Sequence, residues 1–123
     1  MYTVTIETEF SAAHIIRGYN GPCSRPHGHN WKVKVSAKTD VLDNLGMSID
    51  FYVLQKKTEE IITKFDHRDL NTIPPFDKAL NPTSENIAHY IYDELKNVLP
   101  VNVKILSVAI GETGKYTAKY SEA

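Results

Sequence analysis

One cysteine in 123 residues excludes an internal disulfide framework and leaves the thiol of Cys23 free for other chemistry. No apolar run approaches the roughly 18 residues that a membrane-spanning helix needs, so a membrane is not expected as a partner. Charge of one sign is also scarce in excess: 14 basic against 15 acidic residues leave a formal charge of -1. That balance gives no electrostatic case for nucleic acid, and points to a small molecule or another copy of the chain as partner. There is no phosphate-cradling glycine loop, internal repeat, low-complexity segment or linker. Met1 leads into an alternating segment with no basic leader and apolar core, as expected of a cytoplasmic protein. The length fits a single domain over 1–123 with its own core.

What is present is alternation. Tyr2, Val4, Ile6, Phe10 and Ala12 alternate with Thr3, Thr5, Glu7, Glu9 and Ser11, and His14 falls on the apolar parity. This predicts a strand over 2–14, followed by a turn-rich loop through Arg17-Gly18-Tyr19-Asn20-Gly21-Pro22. A second strand is predicted from about His27 to Thr39, with Trp31, Val33, Val35 and Ala37 continuing the parity of His27 and His29. Asp50 is a plausible N-cap for a helix carrying Phe51, Leu54, Thr58, Ile61, Ile62 and Phe65 on one face and stopping near Asp66. The long connection from Asp66 to Pro82 contains Asn71 and the Pro74-Pro75 pair, and a loop of that length is often functional. Thr83 or Ser84 can cap a second helix bearing Ile87, Ile91, Leu95 and Val98, which Pro100 ends. Two further strands, around 101–111 and 116–120, are joined by a turn at Thr113-Gly114.

The order is ββααββ, an α+β fold: an antiparallel four-stranded sheet with both helices on one face. Such a sheet has two open edges, and self-association through them into a larger barrel or ring is expected.

The chemistry concentrates in Cys23-Ser24-Arg25-Pro26-His27-Gly28-His29 together with His14. In a strand, His27 and His29 point to one side, and a neighbouring strand brings His14 to the same side. A single histidine would be read as an ordinary hydrogen-bonded residue. A His-x-His pair matched in parity by a third imidazole is better read as a metal site with one position left open, as in catalytic zinc centres. Neutral ligands keep the full charge of the ion, which favours Lewis-acid work. Imidazole also suits copper, nickel and iron, and zinc is the default.

Cys23 lies four residues before His27, with three readings: a thiolate base beside the ion, a fourth ligand that closes the site, or an ordinary loop thiol. In Asp66-His67 an aspartate could hold an imidazole in one tautomer, if a turn at the helix end lets adjacent side chains meet. Glu112 ends an apolar strand and is either a turn residue or a carboxylate that accepts two hydrogen bonds from a guanidine-like ring edge, as in a purine or pterin. Arg17, Arg25 and Lys115 are basic candidates for a phosphate-bearing ligand, and His89 reads as surface.

As a set these residues resemble the 6-pyruvoyltetrahydropterin and 6-carboxytetrahydropterin synthase family. The resemblance runs through Phe10-Ser11-Ala12-Ala13-His14, Cys23 to His29, Ile49-Asp50-Phe51, Asp66 to Asn71, Asn81-Pro82-Thr83-Ser84-Glu85 and Glu112-Thr113. It implies a tunnelling fold whose sheets close into a barrel in a trimer, two trimers stacking into a hexamer with active sites at subunit interfaces. It further implies zinc on His14, His27 and His29, proton transfer by Cys23, Asp66 and His67, and a pterin held by Glu112 with Thr83 and Ser84 nearby. The short Cys-x3-His-Gly-His spacing is similar to that of the carboxy enzymes of 7-deazaguanine biosynthesis. Those convert 7,8-dihydroneopterin triphosphate to 6-carboxytetrahydropterin, acetaldehyde and triphosphate. The alternatives are the pyruvoyl enzyme, which leaves the side-chain carbons intact, and a non-catalytic structural zinc module closed by Cys23.

Overall fold

The computed structural model describes residues 1–122, with Cys23 described by its backbone alone. Strands β1 (Tyr2–His14) and β2 (His27–Thr39) form an antiparallel ladder running unbroken from Tyr2 opposite Thr39 to His14 opposite His27. Alternation sends Ile6, Phe10, Ala12 and His14 of β1 to the same face as Trp31, Val33, Val35 and Ala37 of β2, and all eight are buried. The opposite face carries registered charge pairs, Glu7 with Lys34 and Glu9 with Lys32, each 3.9 Å apart.

Helix α1 (Phe51–Ile62) starts where the Asp50 carboxylate accepts the Tyr52 N–H at 2.8 Å, and buries Leu54, Thr58, Ile61 and Ile62. Helix α2 (Ser84–Val98) is capped by Thr83, whose hydroxyl accepts from the Asn86 N–H at 3.1 Å, which settles the choice between Thr83 and Ser84. Ile87, Ile91 and Leu95 of α2 pack with Leu54 and Phe65 on the apolar face of the sheet. Each such side chain taken fully from water stabilises the fold by about 1.5–3 kcal/mol. The apolar stripes overrun this contact at both ends: Phe51 and Val98, predicted to face the core, are exposed at the first turn of α1 and the last turn of α2.

The four predicted strands are joined by one that periodicity could not reveal. After α1 the chain turns through Phe65 and Asp66, and the two-residue strand β3 (Arg68–Asp69) pairs parallel with Ala12 and Ala13 at the outer edge of β1. Strand β4 (Lys104–Gly111) pairs with β2, and β5 (Thr117–Ser121) with β4, giving the order β3-β1-β2-β4-β5 in a mixed sheet. β4 begins later than predicted because Pro100 to Val103 form a turn, with the Val103 N–H on the Pro100 carbonyl at 2.9 Å. Among the described residues no helix is long and apolar enough to cross a membrane.

Candidate active site

The register of β1 on β2 assembles the histidine cluster. His14 sits directly across from His27, His29 lies diagonally one step further in, and the three ring centroids are 4.4, 4.9 and 5.3 Å apart. One ring nitrogen from each lies within 4.8 Å of the other two. Trp31 forms the floor: its ring meets His14 and His29 edge to face at 4.7 and 5.1 Å, and its Nε1–H donates to the Ala12 carbonyl at 3.1 Å. The indole is thus fixed against the strand that carries His14.

Backbone carbonyls set the tautomers. His14 Nδ1 lies 2.7 Å from the Pro82 carbonyl and His27 Nδ1 2.6 Å from that of Arg25. A carbonyl only accepts, so each Nδ1 donates and each Nε2 carries a lone pair. His14 Nε2 and His29 Nε2 are buried without a hydrogen-bond partner among the described residues. A buried unpaired nitrogen costs stability unless something occupies it, and two of them aimed together fit a cation. Burial also pushes the pKa of His14 below its ordinary value, against the pull of the Pro82 carbonyl. The same desolvation lowers that of His29, outweighing the nearby Glu112 carboxylate. Both shifts favour the neutral imidazoles that ligate metals. The donor set fits a divalent ion.

Glu112 borders the cluster. Its Oε2 is 3.6 Å from His29 Nε2, and its Oε1 accepts from the Ser84 hydroxyl at 3.0 Å. The predicted neighbours Thr83 and Ser84 therefore divide their tasks, Thr83 capping α2 and Ser84 orienting Glu112.

The adjacent pair Asp66 and His67 does meet side chain to side chain, with His67 Nδ1 3.0 Å from Asp66 Oδ1. A left-handed backbone at His67, φ 60, makes this possible, and the His67 N–H donates to the Ser11 carbonyl. Asp66 Oδ1 also accepts the Ser11 N–H at 2.9 Å, and this bond, reinforced by His67, holds its carboxyl below the usual range. The pair lies along the outer edge of β1. With Ser11, Ala13, Gly28 and Asn30, and with the cluster residue His29, His67 borders an open depression of about 470 Å³. Within one chain the dyad thus sits at the outer edge of β1, where β3 pairs, and the histidine cluster on the ladder between β1 and β2. The position of the Cys23 thiol lies outside the described residues; its backbone forms part of the short helical turn Pro22–Ser24 that leads into His27.

Of the basic candidates, Arg17 is already engaged: its guanidinium donates to the carbonyls of Phe76 at 2.8 Å and Leu80 at 2.6 Å, pinning the long loop. His89 is exposed, as predicted, in a cluster with Asp93 and Glu122. Both oxygens of Glu122 are taken there, by Lys96 Nζ at 3.1 Å and the Tyr120 hydroxyl at 2.8 Å. Sequence reasoning gave no role to Asn71 and Asn81, whose side chains bind the backbone on the far side of His14. Their signals were their place in the long loop and in the segments that carry the family resemblance.

Known proteins agree with this architecture. A sequence profile described as 6-pyruvoyl tetrahydropterin synthase matches residues 3–123. An Archaeoglobus fulgidus protein provisionally named 6-carboxy-5,6,7,8-tetrahydropterin synthase is 41% identical over 109 residues, covering 89% of this chain and 88% of that protein. Human 6-pyruvoyl tetrahydrobiopterin synthase is 37% identical over 103 residues, covering 81% of this chain and 70% of that one. The structure of 6-pyruvoyl tetrahydropterin synthase from Caenorhabditis elegans superposes with a TM-score of 0.83 at 31% identity, covering 100% of this chain and 98% of that one. With the tunnelling-fold architecture matched along its whole length, the chain belongs to the 6-pyruvoyl tetrahydropterin synthase family of enzymes.

Proposed function

We propose that the chain is a zinc-dependent 6-carboxy-5,6,7,8-tetrahydropterin synthase. It would convert 7,8-dihydroneopterin triphosphate and water to 6-carboxytetrahydropterin, acetaldehyde and triphosphate, a step of 7-deazaguanine biosynthesis leading to preQ0 and queuosine-type nucleosides. The observation that carries this is the aim of the three imidazoles, two of them with buried Nε2 atoms that lack a partner among the described residues, beside a carboxylate whose Oε1 is held by Ser84. The short Cys-x3-His-Gly-His spacing and the 41% identity to the Archaeoglobus protein favour the carboxy over the pyruvoyl reaction.

In this reading His14, His27 and His29 hold the ion, which when bound polarises the side-chain oxygens of the substrate and acidifies the adjacent C–H. Glu112 accepts hydrogen bonds from the amino-pyrimidine edge of the pterin, with Ser84 fixing its other oxygen. Cys23 acts as base, and Asp66 holds His67 with Nδ1–H toward itself so that Nε2 is free to move a proton. The dyad lies at the open edge of the sheet, within reach of a second copy, and in this reading the active site forms where the dyad of one copy meets the histidines of another, in a hexamer built as a dimer of trimers.

The test is incubation of zinc-loaded protein with dihydroneopterin triphosphate, followed by mass analysis of the pterin and an acetaldehyde assay. Acetaldehyde equal to triphosphate supports the carboxy enzyme. Triphosphate without acetaldehyde assigns the pyruvoyl reaction, which the human relative's name favours. Neither product rejects catalysis on this substrate.

A further inference from the structure

His14 is aimed by a carbonyl, and the residue before that carbonyl is tied down on both sides. We infer that Asn81 is a positioning residue of the metal site, setting the tautomer and direction of His14 through the Pro82 carbonyl. This rests on the reading of the three histidines as metal ligands.

Among the described residues no strand runs beside the chain leaving β1, and two side-chain amides take the place of one. Asn71 accepts the Ile15 N–H at 2.8 Å and donates to the Ile15 carbonyl at 3.2 Å. Asn81 does the same for Arg17, accepting its N–H at 2.9 Å and donating to its carbonyl at 3.0 Å. Among short side chains only a primary amide offers donor and acceptor together in this way. The backbone carbonyl of Asn81 in turn accepts from the Thr83 N–H and from Asn86 Nδ2, both at 2.9 Å. Asn81 thus joins the segment just beyond His14 to the start of α2.

Pro82 is the one residue between these anchors. Its ring fixes φ, so once Asn81 and Thr83 are held, little freedom remains in the direction of its carbonyl. That carbonyl sits 2.7 Å from His14 Nδ1 and dictates which nitrogen carries the proton. A backbone carbonyl cannot be deleted by substitution, which makes Asn81 the side chain through which the aim of His14 is altered. Arg17, clasping Phe76 and Leu80, closes the same loop from the other side.

The experiment compares wild type, Asn81→Ala and the isosteric Asn81→Asp, each stripped of metal and titrated with Co2+. Asn81→Asp keeps an acceptor for the Arg17 N–H but turns an oxygen toward the Arg17 carbonyl, and gives a result if the alanine variant does not fold. Both Asn81 variants are expected to bind Co2+ about 10- to 100-fold more weakly, with an altered visible ligand-field spectrum. Ile91→Val, which loosens the core under α2 without touching Asn81, should lower the melting temperature and leave affinity and spectrum unchanged. Asn81 variants that melt earlier yet bind Co2+ with wild-type affinity and spectrum would overturn the inference while leaving the proposed function standing. Wild-type protein that takes up no Co2+ would overturn both.

Discussion

His14 and His27 face each other at the last rung of the β1–β2 ladder, their rings 4.4 Å apart, and each donates its Nδ1–H to a carbonyl contributed by a loop. The two differ in burial. His14 is only 1% exposed and His27 is partly open to solvent. Replacing either with alanine should abolish tight zinc binding, measured as metal per chain after gel filtration. His14→Ala should also destabilise the metal-free protein by about 2–4 kcal/mol in urea unfolding, since it opens a cavity and strands the Pro82 carbonyl. His27→Ala should cost the metal-free protein much less.

Acidification below neutral pH should weaken the metal-free fold. Burial lowers the pKa of His14 and His29 below the ordinary 6.5, so just under that pH the unfolded chain binds protons that the folded chain refuses. Where the unfolded state binds more protons, stability rises with pH. The metal-free melting temperature should therefore fall as pH drops from about 7.5 through 6.5 and below. Asp66, also lowered but from 3.8, adds no slope in that range because it is ionised in both states. A flat profile between pH 7.5 and 5.5 would show that the two imidazoles are not buried neutral.

Glu112 should govern pterin binding without governing metal. Glu112→Gln keeps the shape and a contact to Ser84 but loses the charge that strengthens hydrogen bonds to a guanidine-like edge. A rise in KM or pterin Kd of about 10- to 100-fold is expected, with zinc content unchanged. Ser84→Ala, which removes the 3.0 Å bond to Glu112 Oε1, should produce the same effect on a smaller scale.

The dyad should act on turnover alone. His67 is exposed and makes its side-chain bond to Asp66, so His67→Ala should fold normally, retain zinc and lose about 10²- to 10⁴-fold in kcat. Because the proposed site draws on two copies, mixing His67→Ala with Glu112→Ala protein under conditions of subunit exchange should restore part of the activity. Mixtures with no recovered turnover would place the dyad and the histidines of one chain in the same site.

Strand parity alone located the histidine cluster, because the period of two is strict and His14, His27 and His29 all continue the apolar rows of their strands. The helices were legible from their 3.6-residue period, with a cap expected at Asp50 and another at Thr83 or Ser84, which hydrogen bonding assigns to Thr83. Phe51 and Val98 were misread because a helical stripe gives no sign of where the sheet beneath it ends. β3 escaped because two residues carry no period, and its pairing depends on the left-handed turn at His67. The amide bonds of Asn71 and Asn81 were hidden for a different reason: a side chain that binds a distant backbone has no partner residue type to search for.

The central claim is that three imidazole nitrogens hold one divalent ion and leave it an accessible position. X-ray absorption at the zinc edge of the loaded protein tests this most directly. Nitrogen or oxygen scatterers alone are expected at about 2.0–2.1 Å, with outer-shell features from three imidazole rings. A sulfur scatterer at about 2.3 Å, present with and without pterin, would mean that Cys23 closes the site, and would contradict it.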